Sequence, residues 1–444
     1  MAHTDYEIGR IVQRIKELGE EDNTLVLLMF GDNGASGEGA LQGLANEMTF
    51  FYNLEDNFND LLVNMNELGS DRFYNHYLAG WVHTMNTPFQ WVKQVASHYG
   101  GTTNPMIVSW PAKITEENHG QLRHQWHHVI DVTPTILEAI GIPPPSLIKG
   151  VSQKPHEGVS MLYSFLNASA PSTRETQYFE MLGNQGIYDK GWTAQTTPIA
   201  APWIGIAPEA DPISGYNWEL YNVAEDPTQS ENLAESCPEK LKDLRNNFTM
   251  EATKYNVYPF DNSRTSRLYV STRPSLMRGR NEVTFFKGMI RTPEGAAPTT
   301  KNKDFNVTAD VNLPTDNENG VLATIGGRYS GWVLYLKDGY LKYHYNLADT
   351  KRYEVKSNNK VPAGDHTLGM KFDYDGGAPG SGGLATLYVD GAQVGQERIE
   401  QTLCCRISLD ETFDVGADTG TPAAPDYDVP NEFKGELRSV KVGF

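Results

Sequence analysis

Six consecutive apolar residues that end abruptly in polar ones constrain the fold of this chain more than any other feature. Leu25–Phe30 is apolar at every position, and Gly31–Gly34 (GDNG) follows directly. A strand that is apolar on both faces is typical of the inside of a parallel sheet covered by helices. Residues 8–18 repeat apolar side chains at helical spacing just before it. The pattern therefore predicts an α/β unit, whose ligands would lie beyond the carboxyl end of the strand.

Asp32 and Asn33 stand at that predicted end. Their carboxylate and amide oxygens are the ligands that Ca²⁺ and Mg²⁺ prefer, and Gly31 and Gly34 allow the backbone to turn tightly around an ion. The same four residues are also an ordinary turn sequence. From these residues alone, a metal site and a plain turn both stay open.

A lysine and two histidines are the next candidates for a binding site. Lys93 precedes the pair Gly100-Gly101 by seven residues, and a lysine near such a pair can offer its charge to an anion. A lone lysine is also a common solvated surface residue. His83 and His98 flank Lys93 in the sequence and could line the same pocket.

The composition excludes several classes of protein. The formal net charge is −19, and no basic stripe indicates nucleic-acid binding. An anionic substrate would therefore need positive charge within the site itself. No apolar run reaches the roughly 20 residues of a membrane span. The three cysteines, with one adjacent pair at Cys404-Cys405, form no disulfide framework and leave the redox compartment undecided.

The pattern of the chain changes after about residue 262. Residues 263–282 contain a basic, serine-rich and aperiodic stretch, which indicates a linker. Residues 283–444 carry alternating β-formers separated by Asp-Gly and Gly-Gly turns, which predict an all-β sandwich. The aromatic residues around Trp332 and Tyr343 could bind a sugar, but alternating aromatics more often pack within and between sheets.

Six segments resemble, in the same order, the blocks of type I sulfatases of the alkaline phosphatase superfamily. Among them are DYEIGRIVQRIKELGEEDNTLVLLMFGDNGAS, NTPFQWVK…GGTTNPMIVSWPAKI and HHVIDVTPTILEAIGIPPP, within residues 3–260. The resemblance implies that residues 1–262 form part of a sulfatase catalytic domain, with a partial alkaline-phosphatase-like sheet and flanking helices. Residues 283–444 resemble laminin-G or concanavalin-like sandwiches.

The resemblance also implies roles for individual residues. Asp32 and Asn33 match the family's calcium ligands, with Mg²⁺ as a possible substitute, and Lys93 matches the lysine that contacts the sulfate of the substrate. His98 stands where family members often have an acidic residue, so it matches no functional position. The implied substrate is a sulfate ester of undetermined kind: aryl, alkyl or carbohydrate.

The family's nucleophile is a formylglycine made from the first residue of Cys/Ser-x-Pro-x-Arg, and the chain has no such motif. Cys237 is followed by Pro-Glu-Lys, Ser109–Lys113 ends in lysine, and Ser169–Arg174 places the arginine one residue late. We therefore expect this chain to be the C-terminal part of an arylsulfatase-type enzyme, lacking its N-terminal catalytic segment and inactive alone. The compartment depends on whether a signal peptide lies upstream: periplasmic or secreted with one, cytoplasmic without.

Two alternatives stay open from the sequence. The chain could belong to a phosphate or phosphonate ester hydrolase of the same superfamily. It could instead be a non-catalytic remnant that binds a glycan or a protein partner through its β domain.

Overall fold

A computed structural model describes residues 2–52, 54, 56, 58–204, 210–263 and 279–444. The described residues form two compact units. The first comprises residues 2–36, 82–202 and 210–262, and the second comprises residues 37–81, 203–204, 263 and 279–444. The predicted linker at 263–282 falls largely on residues 264–278, outside the described part, so the domain boundaries stay a prediction.

The α-helices are α1 (Ala2–Glu17), α2 (Met48–Tyr52), α3 (Phe58–Val63), α4 (Ala79–Asn86), α5 (Tyr99–Thr102), α6 (Val132–Ala139) and α7 (Pro238–Lys254). The strands of the first unit are β1 (Val26–Met29), β2 (Met106–Ser109), β3 (Leu147–Ile148), β4 (Val151–Ser152), β5 (Thr176–Met181), β6 (Asn184–Asp189), β7 (Trp192–Thr196) and β8 (Trp218–Asn222). Those of the second are β9 (Glu282–Phe285), β10 (Phe305–Leu313), β11 (Gly320–Gly326), β12 (Gly331–Lys337), β13 (Tyr340–Leu347), β14 (Lys351–Lys356), β15 (Gly364–Tyr374), β16 (Ser381–Val389), β17 (Ala392–Gln401), β18 (Phe413–Val415) and β19 (Glu436–Gly443).

The predicted apolar strand forms, but its pairing differs from the prediction. Within the described residues β1 pairs only with β2, and the two strands run antiparallel, with Leu27 opposite Val108. One face of this pair packs on a cluster that contains Trp110, Met161 and Phe165. Ile107 remains 63% exposed. An apolar pattern indicates which residues avoid water but not the direction of the neighbouring strand. The prediction of a parallel sheet was therefore wrong for these residues.

A four-stranded antiparallel sheet, in the order β5-β6-β7-β8, carries the rest of the first unit. Helix α7 packs against it because Leu244, Phe248 and Ala252, spaced four residues apart, all lie on one helical face. They contact Ile187 and Leu220 of the sheet. This packing supports the sheet that contains β8, whose Glu219 lies within hydrogen-bond distance of the candidate residue His98.

The second unit is the predicted β-sandwich. A six-stranded sheet, in the order β17-β16-β15-β10-β19-β9, and a five-stranded sheet, in the order β14-β13-β12-β11-β18, are antiparallel throughout. Both sheets contribute to one large apolar core. Trp332 and Tyr343 are each 1% exposed within it, so these aromatic rings pack the core and are not on the surface where a sugar could bind.

Residues 37–81 belong to this β-rich unit. The Asn46 amide, itself buried, donates to Ala348 O at 2.8 Å. Tyr74 stacks on Tyr329, with ring centroids 5.3 Å apart, and donates its hydroxyl to Asp410 at 2.6 Å. A long irregular segment is thereby tied to the sandwich by specific polar contacts.

None of the described helices has the length and apolar character needed to span a bilayer.

Candidate functional site

The turn after β1 has the backbone that its glycines predict. Gly31 has φ +92°, a left-handed conformation that a side chain would strain. Gly34 lies so close to the neighbouring loop that an added Cβ would come 1.7 Å from Gly100 O. A side chain at either position would therefore strain the turn, which presents an exposed Asp32 and a half-buried Asn33.

The side chain of Asn104 fixes the backbone of this turn. With its amide oriented by its hydrogen-bond partners, it donates to Asn33 O at 2.8 Å and accepts from Asn33 N at 3.1 Å. Asn104 thus binds only backbone atoms of Asn33. Within the described part of the chain, no side chain binds the Asp32 carboxylate or the side-chain amide of Asn33. The turn is thus held by its backbone, which leaves both side chains available for a ligand.

A second loop brings Lys93 next to the turn. The Lys93 backbone N–H donates to Ala35 O at 3.1 Å. Asn86 joins the same two loops, because its Oδ1 accepts from Ala35 N at 2.9 Å and its Nδ2 donates to Trp91 O at 3.0 Å. The Asp-Asn turn and the lysine, both predicted from the sequence, therefore lie on loops that share hydrogen bonds.

The backbone around Lys93 is strained. Trp91 has φ +67° and Gln94 has φ +77°, a region that costs non-glycine residues energy and that concentrates at functional sites. The surrounding contacts hold this conformation. Gln90 donates to the Gln229 backbone, and the buried Gln229 side chain accepts from Tyr99 N at 3.0 Å.

His98 is an anchor of this loop. It is completely buried; its Nδ1 lies 2.9 Å from Ser97 Oγ and its Nε2 lies 2.9 Å from Glu219 Oε2 on β8. Burial alone would raise the pKa of Glu219, but hydrogen bonds from His98 and Thr197 outweigh it and lower that pKa. Both ring nitrogens of His98 are therefore engaged inside the protein, whereas His83 is exposed on α4.

The donors at the turn suit a hard cation but do not complete its coordination. Ca²⁺ takes about six to eight oxygen ligands, and Mg²⁺ keeps several of its waters. Asp32 and Asn33 together offer two carboxylate oxygens and one amide oxygen. In the described ranges no group of three or more His, Cys, Asp or Glu side chains could hold a metal ion. The remaining ligands would have to come from water, substrate or further protein groups.

Sequence reasoning missed the two asparagines that join the loops, Asn86 and Asn104. Each precedes a proline closely, in Asn86-Thr87-Pro88 and Asn104-Pro105. Such sequences are turn signals and could have marked both positions as loop anchors, but not their partners, which lie up to 71 residues away in the chain.

Residues 1–142, which include the turn and the lysine loop, match the family model for sulfatases. This match makes residues 1–142 similar to part of a sulfatase domain. The chain is 29% identical over 245 residues to an uncharacterized sulfatase of Schizosaccharomyces pombe, covering 54% of the chain and 40% of that relative. It is 30% identical over 184 residues to an arylsulfatase of Klebsiella aerogenes, covering 41% of the chain and 36% of that enzyme. The sulfatase-like chain thus spans well under half the length of both relatives.

Two solved structures are weakly similar to parts of this chain. One is a Bacteroides thetaiotaomicron sulfatase described in connection with glycosaminoglycan metabolism, at 20% identity and a TM-score of 0.36, covering 56% of this chain and 43% of that one. The other is the mouse laminin α1 chain, domains LG4-5, at 13% identity and a TM-score of 0.24, covering 36% and 38%. At these scores neither likeness adds to the argument.

Proposed function

We propose that this chain carries the calcium-binding and sulfate-binding part of a sulfuric ester hydrolase of the arylsulfatase type. The observation that carries the proposal is the hydrogen bond from Lys93 N to Ala35 O. This hydrogen bond joins the lysine loop to the turn that carries Asp32 and Asn33. The side chains of those two residues do not hold the turn together. The match of residues 1–142 to the family model for sulfatases supports the same assignment.

The roles follow from charge. Asp32 and Asn33 would bind the cation through their oxygens, and the Lys93 ammonium would donate to a sulfate oxygen. Calcium, when bound, would neutralise part of the sulfate charge and stabilise the charge that develops on the leaving oxygen. These local positive charges matter because the chain as a whole, at −19, repels an anionic ester.

The nucleophile is the element that these 444 residues do not supply. In the sulfatase family it would be a formylglycine within Cys/Ser-x-Pro-x-Arg, and no such motif occurs in the sequence. The chain on its own is therefore expected to bind a sulfate ester without turning it over. An aryl sulfate is the first ester to test, since one relative is named an arylsulfatase.

The test is the affinity of the purified chain for 4-nitrophenyl sulfate at saturating Ca²⁺. Lys93→Met should weaken binding roughly ten- to a hundredfold, because a hydrogen bond to a charged group contributes about 1.5–3 kcal/mol. Lys154→Met removes an equal charge from an exposed lysine of the same unit and should leave the affinity unchanged. Equal affinity of Lys93→Met and the unmodified chain would contradict the proposal, and tighter binding of 4-nitrophenyl phosphate would favour the phosphate ester hydrolase.

A further inference from the structure

Two adjacent cysteines lie side by side in the β-rich unit, far along the chain from the proposed site. Cys404 and Cys405 follow β17 in the loop that leads to β18, and their Sγ atoms face each other at 2.6 Å. Cys404 is half-buried, while Cys405 is 3% exposed. One thiol of the pair can therefore be reached from solvent, and the second lies directly behind it.

The loop holds the two thiols in this arrangement. Thr402 N donates to Gly380 O at 2.9 Å, and Leu403 N donates to the Tyr345 hydroxyl at 2.8 Å. The Asn302 amide donates to Cys404 O at 2.7 Å. These bonds anchor the backbone immediately before and at the pair, and breaking them costs about 1–3 kcal/mol for each buried group left unsatisfied. The two Cα atoms are therefore held in place, and with them the positions from which the two side chains meet.

The surroundings also favour the thiolate of Cys404. The hydrogen bond from Cys405 lowers the pKa of Cys404, burial opposes this, and the nearby charge of Lys301 lowers it further. Lys301 is 8% exposed and forms an ion pair with Glu294, so its ammonium stays in place. A thiolate, and not a thiol, is the species that attacks a disulfide.

We propose that Cys404 and Cys405 form a reversible vicinal disulfide, made by exchange with a small-molecule disulfide such as oxidised glutathione. In the first step the Cys404 thiolate attacks one sulfur of the small disulfide, forms a mixed disulfide and releases one thiolate. In the second step Cys405 loses its proton and attacks Cys404 Sγ, which releases the second small thiol. The protein dithiol is oxidised by two electrons, and one small disulfide is reduced to two thiols.

The order of these steps follows from burial. Cys404 is the accessible sulfur, so the small disulfide reacts there, and Cys405 completes the ring from inside the protein. Cys237 lies in the first unit, is also partly accessible, and has no neighbouring cysteine in the sequence. It therefore serves as an internal control that can form only a mixed disulfide.

The experiment is peptide mass mapping after incubation of the native chain with oxidised glutathione, followed by alkylation of the remaining thiols. The peptide that contains both Cys404 and Cys405 should lose both alkylation sites, become lighter by two hydrogen atoms and carry no glutathione. Dithiothreitol should restore both sites. Recovery of this peptide with two alkylated cysteines, or with glutathione retained, would overturn the proposal.

A variant separates the two steps. Cys405→Ser keeps the accessible thiol and removes the one that closes the ring, so its Cys404 should accumulate glutathione. Cys404→Ser should instead leave Cys405 largely unmodified, because that sulfur is buried. Thermal unfolding of both reduced variants checks that they are folded. A folded Cys405→Ser protein that gains no glutathione would contradict the proposed order of attack.

Discussion

The buried carboxylate of Asp131 is the interaction whose removal should destabilise the first unit most. Arg174 binds it through Nε, 2.9 Å from Oδ2, and through Nη2 on Oδ1. His127 Nδ1 lies 3.0 Å from Oδ2, and the backbone N–H groups of His128 and Val159 donate to it at 3.0 and 2.8 Å. Burial alone would raise the pKa of Asp131, but these hydrogen bonds outweigh it and hold the pKa well below its usual range.

Asp131→Asn keeps the shape of this side chain and removes its charge. The Arg174 guanidinium, 7% exposed, would then be buried without a counter-charge and would face an amide that also donates. Breaking a buried ion pair by removing one partner costs about 3–5 kcal/mol. We expect the free energy of unfolding of the first unit to fall by an amount in that range. Glu138→Gln makes the same change of charge at an exposed position of α6. Its free energy of unfolding should stay within about 0.5 kcal/mol of that of the unmodified chain.

A double-mutant cycle isolates the ion pair from the other bonds. Arg174→Met leaves the Asp131 carboxylate with His127 and two backbone donors, so it should also be costly. The double variant should lose less stability than the two single variants lose together, which corresponds to an interaction energy of up to about 3 kcal/mol. It should not return to the original stability, because the backbone donors at His128 and Val159 would still have only an amide oxygen to bind.

Hydrogen exchange of the α6 amides is the suitable assay, because a chain of two units does not unfold as one two-state transition. The pKa of Asp131 is lower in the folded protein, so its stabilisation is present above the unfolded pKa of about 3.9 and is lost as the pH falls through the folded value. The difference between Asp131→Asn and the unmodified chain should therefore narrow below about pH 4. Unchanged α6 protection in Asp131→Asn at pH 7 would refute the reasoning.

Three further predictions concern other parts of the chain. Gly34→Ala should destabilise the turn by about 1–3 kcal/mol, because its Cβ would meet Gly100 O. Gly9→Ala in α1 has open space around its Cβ and should instead stabilise the helix by about 1 kcal/mol. Equal shifts of the thermal unfolding midpoint in the two variants would contradict this prediction. Burial, aided by the charge of Arg352, lowers the pKa of His344 to about 4. The free energy of unfolding of the β-rich unit should therefore fall by about 3 kcal/mol as the pH drops from 6.5 to 4. In acid unfolding curves, His344→Leu should make this free energy less dependent on pH. The purified 444-residue chain should release no 4-nitrophenol from 4-nitrophenyl sulfate above the uncatalysed rate, and sulfatase turnover at ordinary enzyme rates would show the motif argument to be wrong.

Local sequence signals predicted the elements that depend on neighbouring residues. The apolar run predicted β1, and the glycines beside Asp32 predicted the tight turn, because a left-handed φ and a close backbone approach are local requirements. Alternating β-formers with Asp-Gly turns predicted the sandwich for the same reason. The resemblance to sulfatases, and not the residue pattern itself, indicated that this turn and Lys93 belong to one site.

Contacts between distant residues were not readable in this way. The antiparallel pairing of β1 with β2 joins segments about 80 residues apart, and a six-residue apolar run has no feature that selects strand direction. Asn86 stands in the sequence as an ordinary loop residue, and His98 was a candidate for lining the pocket. Their side chains instead hold the Lys93 loop through Ala35 and Glu219. Such roles depend on which loops the fold brings together.

The central claim is that the turn after β1 binds a divalent cation through Asp32. Isothermal titration of Ca²⁺ into the purified chain tests it most directly, with Asp32→Ala compared against Asp22→Ala, an exposed aspartate of the same unit. We predict that Asp32→Ala loses one calcium site while Asp22→Ala binds as the unmodified chain does, and calcium sites elsewhere in the protein would not alter this difference. The same number of sites with the same affinities in all three proteins would contradict the claim.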